Sequence, residues 1–392
     1  MIRTALVAVM AVALAALPAA AQEKTIKIGY VNTFSGPGAL IGNDMRNAFE
    51  LGLDHLGRKL GGLPVEVIYE DDQQKPEVGV QKVQKLIEAD KVDFIAGFIW
   101  SNVLLAVLKP IVDAKVITVV NNAGPSQLAG ELCSPYVFST SWTNEQTPRA
   151  MGRYMNQKGI KSVFLIGPNY ASGRDQLQGM REIFEGKVLG QEMTRWPDQL
   201  DFSAELSKAR ASGAESIFVF YPGAAGIQFV TQYTQAGLKG QIPLYTVFVV
   251  DELSLPRLKD LGLGIPGTLN WVNDLPNETN KKFVVDFIAK YKTRPSYYAA
   301  QTYDGVNLLD SAVKAVNGDL SKKDEMRQAM EKADFKSVRG NFKFGNNHIP
   351  IQNFYLQEAV KEGDDYVLKT VATVVENDQD RFHDKCPMKL GQ

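Results

Sequence analysis

Residues that follow predicted β-strands provide the groups best suited to hold a small ligand. Ser101 lies where a strand gives way to a helix, so its hydroxyl, free backbone N–H groups and the helix dipole could face an anion. Asn122, Ala123 and Gly124 follow the next strand, where small residues let backbone groups approach a carboxylate. Tyr170 offers a ring and a hydroxyl at a facing strand end. These residue types favour binding of a small carboxylate.

The same residues also have plain structural explanations, which the sequence leaves open. Ser101 could be an ordinary helix N-cap, the segment 122–124 a simple turn, and Tyr170 a packed loop aromatic. Trp142 and Phe248 could be aromatic platforms for a ligand or ordinary core side chains.

Signatures of enzymes, cofactors and metal sites are weak or missing in the sequence. Residues 262–267 match the pattern G-x-G-x-x-G, but a helical stretch precedes them and a strand-like run follows, whereas a dinucleotide site needs the reverse order. There is neither a G-x-S-x-G nucleophile elbow nor a P-loop. The three histidines, His55, His348 and His383, stand far apart. We therefore expect no cofactor, no metal and no enzymatic activity.

The composition indicates a globular protein without a polyanionic partner. The chain has 392 residues, of which 45% are hydrophobic and 22% charged, enough for two or three domains with their own cores. Lys and Arg total 43, Asp and Glu total 44, and the formal net charge is −1. Because there is no basic excess, we expect neither nucleic acid nor an acidic membrane surface as a partner.

The first 21 residues have the pattern of a secretory signal peptide. Arg3 supplies a positive charge, residues 4–17 form an almost unbroken apolar run, and Ala19 and Ala21 provide the small residues of a cleavage site. A transmembrane anchor, the alternative, needs about 20 apolar residues, and this run is shorter and ends at Pro18. We expect cleavage after Ala21 and export of the mature protein.

Two cysteines remain after that cleavage, Cys133 and Cys386. An even pair in an oxidising compartment favours a disulfide bond, with two unpaired thiols as the alternative. The bond would tie the C-terminal tail, residues 377–392, to the loop after the fourth strand.

Hydrophobic periodicity predicts two rounds of alternating strands and helices. In the first round, strands at 25–31, 65–69, 92–96 and 116–120 alternate with helices at 43–60, 76–90 and 101–114. In the second, strands at 162–166, 188–193, 217–221 and 244–249 alternate with helices at 145–157, 173–184, 201–210 and 225–236. Helices at 279–291, 296–316 and 321–332 and strands at 335–344, 351–360 and 366–374 follow.

This alternation predicts an α/β protein with two doubly wound, Rossmann-like lobes that face one another. Ligands of such sheets bind outside the carboxyl ends of the strands. The predicted N-terminal lobe comprises residues 22–141 and 274–345, and the C-terminal lobe residues 142–273 and 346–376. Candidate hinge segments are 142–144, 270–273 and 345–350.

Several short motifs in a fixed order resemble one protein family. The strongest are residues 28–37 with Gly42, 69–72 with a helix from Pro76, and 96–97 leading into Ser101. Others are 170–173, 201–203 and 218–223. Over nearly the whole mature chain the sequence resembles periplasmic solute-binding proteins of ABC transporters, in the branched-chain amino-acid-binding group.

The resemblance implies a type I two-lobed trap with a multi-strand hinge. Such a protein closes on a small ligand and docks, as a monomer, on an ABC permease with its ATPase. Ser101 corresponds to the serine that holds the ligand carboxylate in this family. Asn122 and Gly124 fall where the family uses backbone and hydroxyl groups on the same carboxylate, and Tyr170 matches a cleft tyrosine of the second lobe.

Departures from the family pattern point to the class of ligand. Amino-acid binders keep an acidic residue for the ligand ammonium after the last strand of the second lobe. In this chain that stretch is apolar, Val247-Phe248-Val249-Val250, and the nearest acid is Asp251. The family's aromatic on the first loop is Ile41 here, and a second-lobe tyrosine is Ala224. Burying an unpaired ammonium group costs roughly several kcal/mol. An aromatic or hydrophobic carboxylic acid, which has no ammonium group, therefore fits this pattern better.

Other functions remain open at this stage. If Asp251 serves an ammonium group, the ligand is a branched-chain amino acid. A secreted enzyme on the same scaffold and a sensor domain of a receptor are further alternatives, although the sequence offers neither a nucleophile–base set nor a following transmembrane segment.

Overall fold

The structure, a computed structural model, describes residues 24–391. The predicted signal peptide, residues 1–21, lies outside this range. All helices among the described residues are too short or too polar to cross a lipid bilayer.

The elements follow one another along the chain in three groups. The first group is β1 (Ile26–Asn32), α1 (Ala39–His55), β2 (Lys59–Leu60), β3 (Leu63–Asp71), α2 (Pro76–Glu88), β4 (Phe94–Gly97), α3 (Ser101–Asp113), β5 (Ile117–Val120), α4 (Ser126–Ala129) and β6 (Val137–Ser139). The second is α5 (Gln146–Gln157), β7 (Ser162–Pro168), α6 (Ala171–Ile183), β8 (Lys187–Thr194), α7 (Ser203–Ala211), β9 (Ile217–Phe220), α8 (Ala224–Gln235), β10 (Leu244–Val247), α9 (Leu255–Leu258) and β11 (Gly267–Leu269). The third is α10 (Glu278–Tyr291), α11 (Tyr297–Ala315), α12 (Lys323–Lys332), β12 (Gln352–Glu362) and β13 (Asp365–Asp378).

These strands form two separate sheets, as the two rounds of periodicity predicted. The first sheet has the order β2-β3-β1-β4-β5-β6 and is parallel except for the β2–β3 pair. The second has the order β13-β12-β11-β10-β9-β7-β8, with β12 and β13 antiparallel to their neighbours. The strands β4, β5, β9 and β10 are buried along their whole length, which explains their continuous apolar runs.

The third group of elements divides between the two sheets. Helix α11 returns to the first sheet and packs on α1, where the Cβ of an alanine at Gly52 would lie 3.0 Å from Val306. The hairpin β12–β13 completes the second sheet. We call the first sheet with its helices the first lobe and the second sheet with its helices the second lobe.

The chain passes between the lobes between β6 and α5, between β11 and α10, and between α12 and β12. Gln352 joins all three passages. Its amide nitrogen donates to the Ser141 carbonyl at 2.7 Å, and its amide oxygen accepts from Asn270 at 3.0 Å. We propose these passages as the hinge, and the boundaries given above as those of the lobes.

One predicted strand is wrong. Residues 335–344 form turns with isolated bridges instead, because the backbone wraps around the buried carboxylate of Asp304. That carboxylate accepts hydrogen bonds from the Ser337 hydroxyl and the Val338 N–H and pairs with Arg339. The short edge strand β6 was not predicted.

The structure pairs Cys133 with Cys386, as the sequence predicted, with their Cα atoms 5.8 Å apart. Cys133 follows α4 in the first lobe, and Cys386 lies in the tail beyond β13. The tail also contacts the second lobe, because Arg381 pairs with Glu182 on α6. The disulfide closes a loop of sequence separation 253, so it restricts the unfolded chain strongly.

Replacing Cys386 by serine should lower the free energy of unfolding by about 2–4 kcal/mol, because the unfolded chain regains the entropy of the open loop. Denaturant titration of wild type and Cys386→Ser measures this difference. Reductant should destabilise the wild type to the same extent and leave Cys386→Ser unchanged. Equal denaturation midpoints for oxidised wild type and the variant would contradict the prediction.

Candidate ligand-binding site

A small cavity lies between the lobes, outside the carboxyl ends of their strands. Segments that follow β4, β5, β7, β9 and β10 contribute to its wall, together with the first turn of α11. The lining residues are Ile99, Trp100, Ser101, Asn122, Ala123, Trp142, Asn144, Tyr170, Ser172, Phe220, Pro222, Phe248 and Tyr298. None of these described lining residues carries a formal charge.

The polar end of the cavity is the beginning of α3. Trp100 is the N-cap residue of this helix and makes no side-chain capping bond, and Ser101 is its first helical residue. The explanation of Ser101 as an ordinary N-cap is therefore wrong. The first intrahelical bond along α3 runs from the Leu104 N–H to the Trp100 carbonyl, so earlier N–H groups lack helical partners.

The hydroxyl of Ser101 has a defined orientation. Its oxygen accepts a hydrogen bond from the side-chain amide of Asn144 at 3.2 Å. Because a hydroxyl carries a single proton, this bond leaves the proton of Ser101 available for another acceptor.

The segment 122–124 combines a polar side chain with close backbone packing. Asn122 donates to the Ile99 carbonyl at 2.8 Å, while its buried Oδ1 has no hydrogen-bond partner among residues 24–391. Ala123 lines the cavity, and Gly124 lies outside its lining. A Cβ atom at Gly124 would lie 2.1 Å from the carbonyl oxygen of Trp142, so glycine lets the first interlobe passage run close by.

Aromatic side chains form most of the remaining wall. Trp142 and Phe248 stack with ring centroids 4.8 Å apart, and Phe220 meets Phe248 edge-on at 5.9 Å. Tyr170 of the second lobe lies 6.3 Å from Trp100 of the first, so the lobes contact each other beside the cavity. Burial raises the pKa of Tyr170 and keeps its phenol neutral.

Comparison with known proteins agrees with this architecture. The chain matches the periplasmic binding protein family over residues 25–364. It is 31% identical to the Leu/Ile/Val-binding protein homolog 6 of Brucella melitensis over 374 residues, which cover 91% of this chain and 94% of the relative. The chain belongs to the periplasmic binding protein family.

Solved structures of ABC transporter solute-binding proteins are similar to this periplasmic binding protein over almost its whole length. One from R. palustris, in complex with benzoate, is 32% identical with a TM-score of 0.88 and covers 93% of this chain and 100% of its own. Another from R. palustris, in complex with 4-hydroxybenzoate, is 29% identical with a TM-score of 0.84 and covers 91% and 98%.

These findings confirm the predicted type I fold with its two Rossmann-like lobes. The protein is an ABC solute-binding protein of the Leu/Ile/Val-binding type. Its relatives are substrate-binding components of transporters, and such components are not enzymes.

Two predicted site residues of this periplasmic binding protein lie, like Gly124, outside the cavity lining. Ile41 is fully buried in α1, and a Cβ atom at Gly223 would lie 3.4 Å from its Cδ1. Ala224 is the first residue of α8, directly after Gly223. Ile41 therefore belongs to the contact between the lobes beside the cavity, and Ala224 follows that contact in the sequence.

The structure adds lining residues that the sequence analysis did not assign to the site. Trp100 and Pro222 lie in strand-end segments, and Ser172 is two positions after Tyr170, so the strand-end rule could have found them. Asn144 was identified only as a hinge residue. Phe220 ends β9, and Tyr298 comes from the distant helix α11, for which the sequence carried no local signal.

Asp251, the residue considered for an ammonium group, lies outside the cavity lining. Its Oδ1 accepts from the N–H groups of Leu253 and Ser254, at 3.1 and 2.8 Å, and so stabilises the turn after β10. Burial raises the pKa of Asp251 to about 6, and these hydrogen bonds oppose the rise.

The neighbouring Glu252 is a second buried acid between the lobes. Its Oε2 has no hydrogen-bond partner within residues 24–391. Burial and the carboxylates of Asp251 and Asp44 raise the pKa of Glu252 to about 8, while Arg294 opposes the rise. The folded protein therefore holds a proton here that the unfolded chain releases near the ordinary value of 4.5.

Stability should consequently fall as the pH rises from about 4.5 to about 8, because the folded state binds the extra proton in this window. Glu252→Gln removes this dependence. We expect its melting temperature, relative to wild type, to be several degrees higher at pH 8 than at pH 5, measured by calorimetry. The exposed Glu278→Gln is the matched control and should show no such difference. A pH-independent effect of Glu252→Gln would contradict the assignment.

Proposed function

We propose that this protein captures an aromatic carboxylic acid of the benzoate class and presents it to the permease of an ABC importer. The observation that carries the proposal is the composition of the cavity. One end is the beginning of α3 with Ser101, and the rest is an uncharged wall rich in aromatic rings. A ligand with one carboxylate on a flat apolar body complements both parts.

The carboxylate of such a ligand would lie at the first turn of α3. The Ser101 hydroxyl has its proton available there, and the first N–H groups of the helix lack intrahelical partners. Hydrogen bonds to a charged acceptor are about twice as strong as those between neutral groups. The positive end of the helix dipole adds to this attraction.

The aromatic body would lie among Trp142, Tyr170, Phe220 and Phe248. Rings in offset-stacked or edge-on contact contribute about 0.5–1.5 kcal/mol beyond the burial of their area. The Trp142 Nε1–H is buried without a partner among the described residues, so a polar substituent on the ligand could accept from it.

An amino-acid ligand fits the same cavity less well. Its ammonium group would be buried next to uncharged side chains. The stretch 247–250, where the resemblance places the acid of the family's amino-acid binders, is apolar. Asp251 already accepts two backbone hydrogen bonds. The solved relatives that hold benzoate and 4-hydroxybenzoate also support an aromatic acid.

The mechanism that we propose involves no bond chemistry. Ligand binding shifts the lobes towards the closed arrangement, which excludes water from the cavity and strengthens the hydrogen bonds to the carboxylate. The closed monomer then docks on the permease, and the ATPase drives uptake. Export to the periplasm, with removal of residues 1–21 after Ala21, belongs to the same proposal.

A branched-chain amino acid is the second candidate, because the Brucella relative bears the name of a Leu/Ile/Val-binding protein homologue. A thermal-shift panel followed by calorimetry distinguishes the two. We expect benzoate and 4-hydroxybenzoate to raise the melting temperature, and leucine and valine to leave it unchanged. Stabilisation by leucine alone would reject the aromatic proposal. If NMR showed that the protein converts benzoate into a new compound, the protein would instead be an enzyme.

Ser101→Ala should weaken benzoate binding by about 1–3 kcal/mol, or roughly 5- to 150-fold, because one charge-assisted hydrogen bond is lost. Isothermal titration calorimetry measures the change. Ser207→Ala, on an exposed part of α7, is the control and should bind like wild type. An unchanged affinity of Ser101→Ala, with wild-type binding intact, would remove Ser101 from the site.

A further inference from the structure

We infer that Asp175 is a positioning residue that holds the two lobes together and, through Asn144, orients the hydroxyl of Ser101 towards the ligand. The inference rests on the proposed function for the identity of the ligand group that Ser101 meets. It concerns Ser101, Asn144, Asp175 and Ser126, which we call the cross-lobe network.

The carboxylate of Asp175 reaches from one lobe to the other. Asp175 lies on α6, which packs on the second sheet against β7 and β9. Its Oδ2 accepts from the backbone N–H of Ser126 at 3.1 Å, and its Oδ1 is 3.2 Å from the Ser126 hydroxyl, which donates to it. Ser126 begins α4, which lies between the first-lobe strands β5 and β6. These bonds must break when the lobes separate, so they stabilise only the closed arrangement.

Asn144 connects this interlobe contact to the ligand cavity. Its side-chain nitrogen donates to Asp175 Oδ2 at 2.9 Å and to Ser101 Oγ at 3.2 Å. An amide nitrogen provides two protons and no acceptor, so both neighbours must accept. The carboxylate of Asp175 also fixes the orientation of the Asn144 amide. If the amide were flipped, its oxygen would face the carboxylate oxygen of Asp175, and the two would repel each other.

The polarity of the network therefore runs in one direction. Asp175 accepts, Asn144 donates to both sides, and Ser101 accepts while its own proton stays free. A serine whose oxygen is already an acceptor presents that proton to a ligand carboxylate in the cavity. Closure and ligand binding are therefore coupled. Asp175 contacts Ser126 of the other lobe only when the lobes meet, and the same carboxylate orders Asn144.

Burial opposes the charge of Asp175, and the network compensates for it. Desolvation raises the pKa of Asp175, while the hydrogen bonds from Asn144 and Ser126 and the charge of Arg174 lower it. Removing the acceptor would leave the Ser126 N–H and one Asn144 proton without a partner, so the loss should be larger than that of an exposed contact.

Calorimetry with benzoate and small-angle X-ray scattering of the full mature chain test the inference together. We expect Asp175→Ala to raise the Kd for benzoate about 10-fold and to increase the radius of gyration, because the closed arrangement loses its interlobe bonds. Asp175→Asn keeps an acceptor for Asn144 and the Ser126 N–H, so it should restore most of the affinity. Gln178→Ala, on an exposed face of the same helix, is the matched control and should resemble wild type.

A double-mutant cycle separates positioning from general destabilisation. If Asp175 acts through Ser101, the Asp175→Ala effect on benzoate affinity should shrink in the Ser101→Ala background. Asn144→Asp should weaken binding more than Asp175→Ala does, because its carboxylate would accept the Ser101 proton. Melting temperatures of all variants establish that they are folded.

The outcomes for this inference and for the proposed function are distinguishable. A wild-type protein that binds benzoate, together with an Asp175→Ala variant of equal affinity and equal scattering, overturns the inference and leaves the proposed function standing. Additive effects of Ser101→Ala and Asp175→Ala overturn the coupling. If wild type binds no benzoate, the proposed function is wrong, and so is the part of the inference in which Ser101 is oriented towards a ligand carboxylate. Equal radii of gyration of wild type and Asp175→Ala would then overturn the interlobe contact too.

Discussion

The beginning of α3 is the feature on which the site depends. A helix start buried between two lobes presents backbone N–H groups that no helical carbonyl can satisfy, and α3 has no side-chain cap at Trp100. The surrounding packing keeps this end accessible to the cavity. Gly124 lets the first interlobe passage run beside it, and that passage brings Asn144 within hydrogen-bond distance of Ser101. The positive end of a helix dipole therefore lies where both lobes meet, in a cavity lined by uncharged side chains.

The proposal of an aromatic acid, in preference to an amino acid, depends largely on one strand-end position. Phe248 directly follows β10 with φ of 60°, an uncommon conformation for a bulky side chain, and its ring stacks on Trp142 inside the wall. The acids that follow it serve other purposes. Asp251 stabilises a turn, and Glu252 lies buried between the lobes with a raised pKa. Carboxylates near the site therefore do not provide a counter-charge for an ammonium group in the cavity lining described above.

Contacts between the lobes are of two kinds, and they have different roles. Gln352 joins the three interlobe passages by hydrogen bonds, in the segments that we propose as the hinge. On the ligand side, Trp100 and Tyr170 meet through their rings, and Asp175 bonds to Ser126. The Gln352 hydrogen bonds connect chain segments that pass between the lobes. The contacts on the ligand side form only when the lobes are close together. A ligand in the cavity lies beside these ligand-side contacts and can therefore influence closure directly.

Local periodicity determined most of the architecture from the sequence by itself, because alternating strands and helices with buried faces allow few arrangements. It predicted both sheets. The rule that ligands bind at strand ends, together with residue type, then singled out Ser101, Asn122, Ala123, Tyr170, Trp142 and Phe248, which the structure brings to one cavity. Tertiary structure alone decided the rest. Tyr298 reaches the cavity from a helix far along the chain, and Ile41 and Ala224 lie outside the cavity lining. Residues 335–344 turn around Asp304 instead of forming a strand. These outcomes depend on side chains meeting across long sequence separations, which periodicity does not encode.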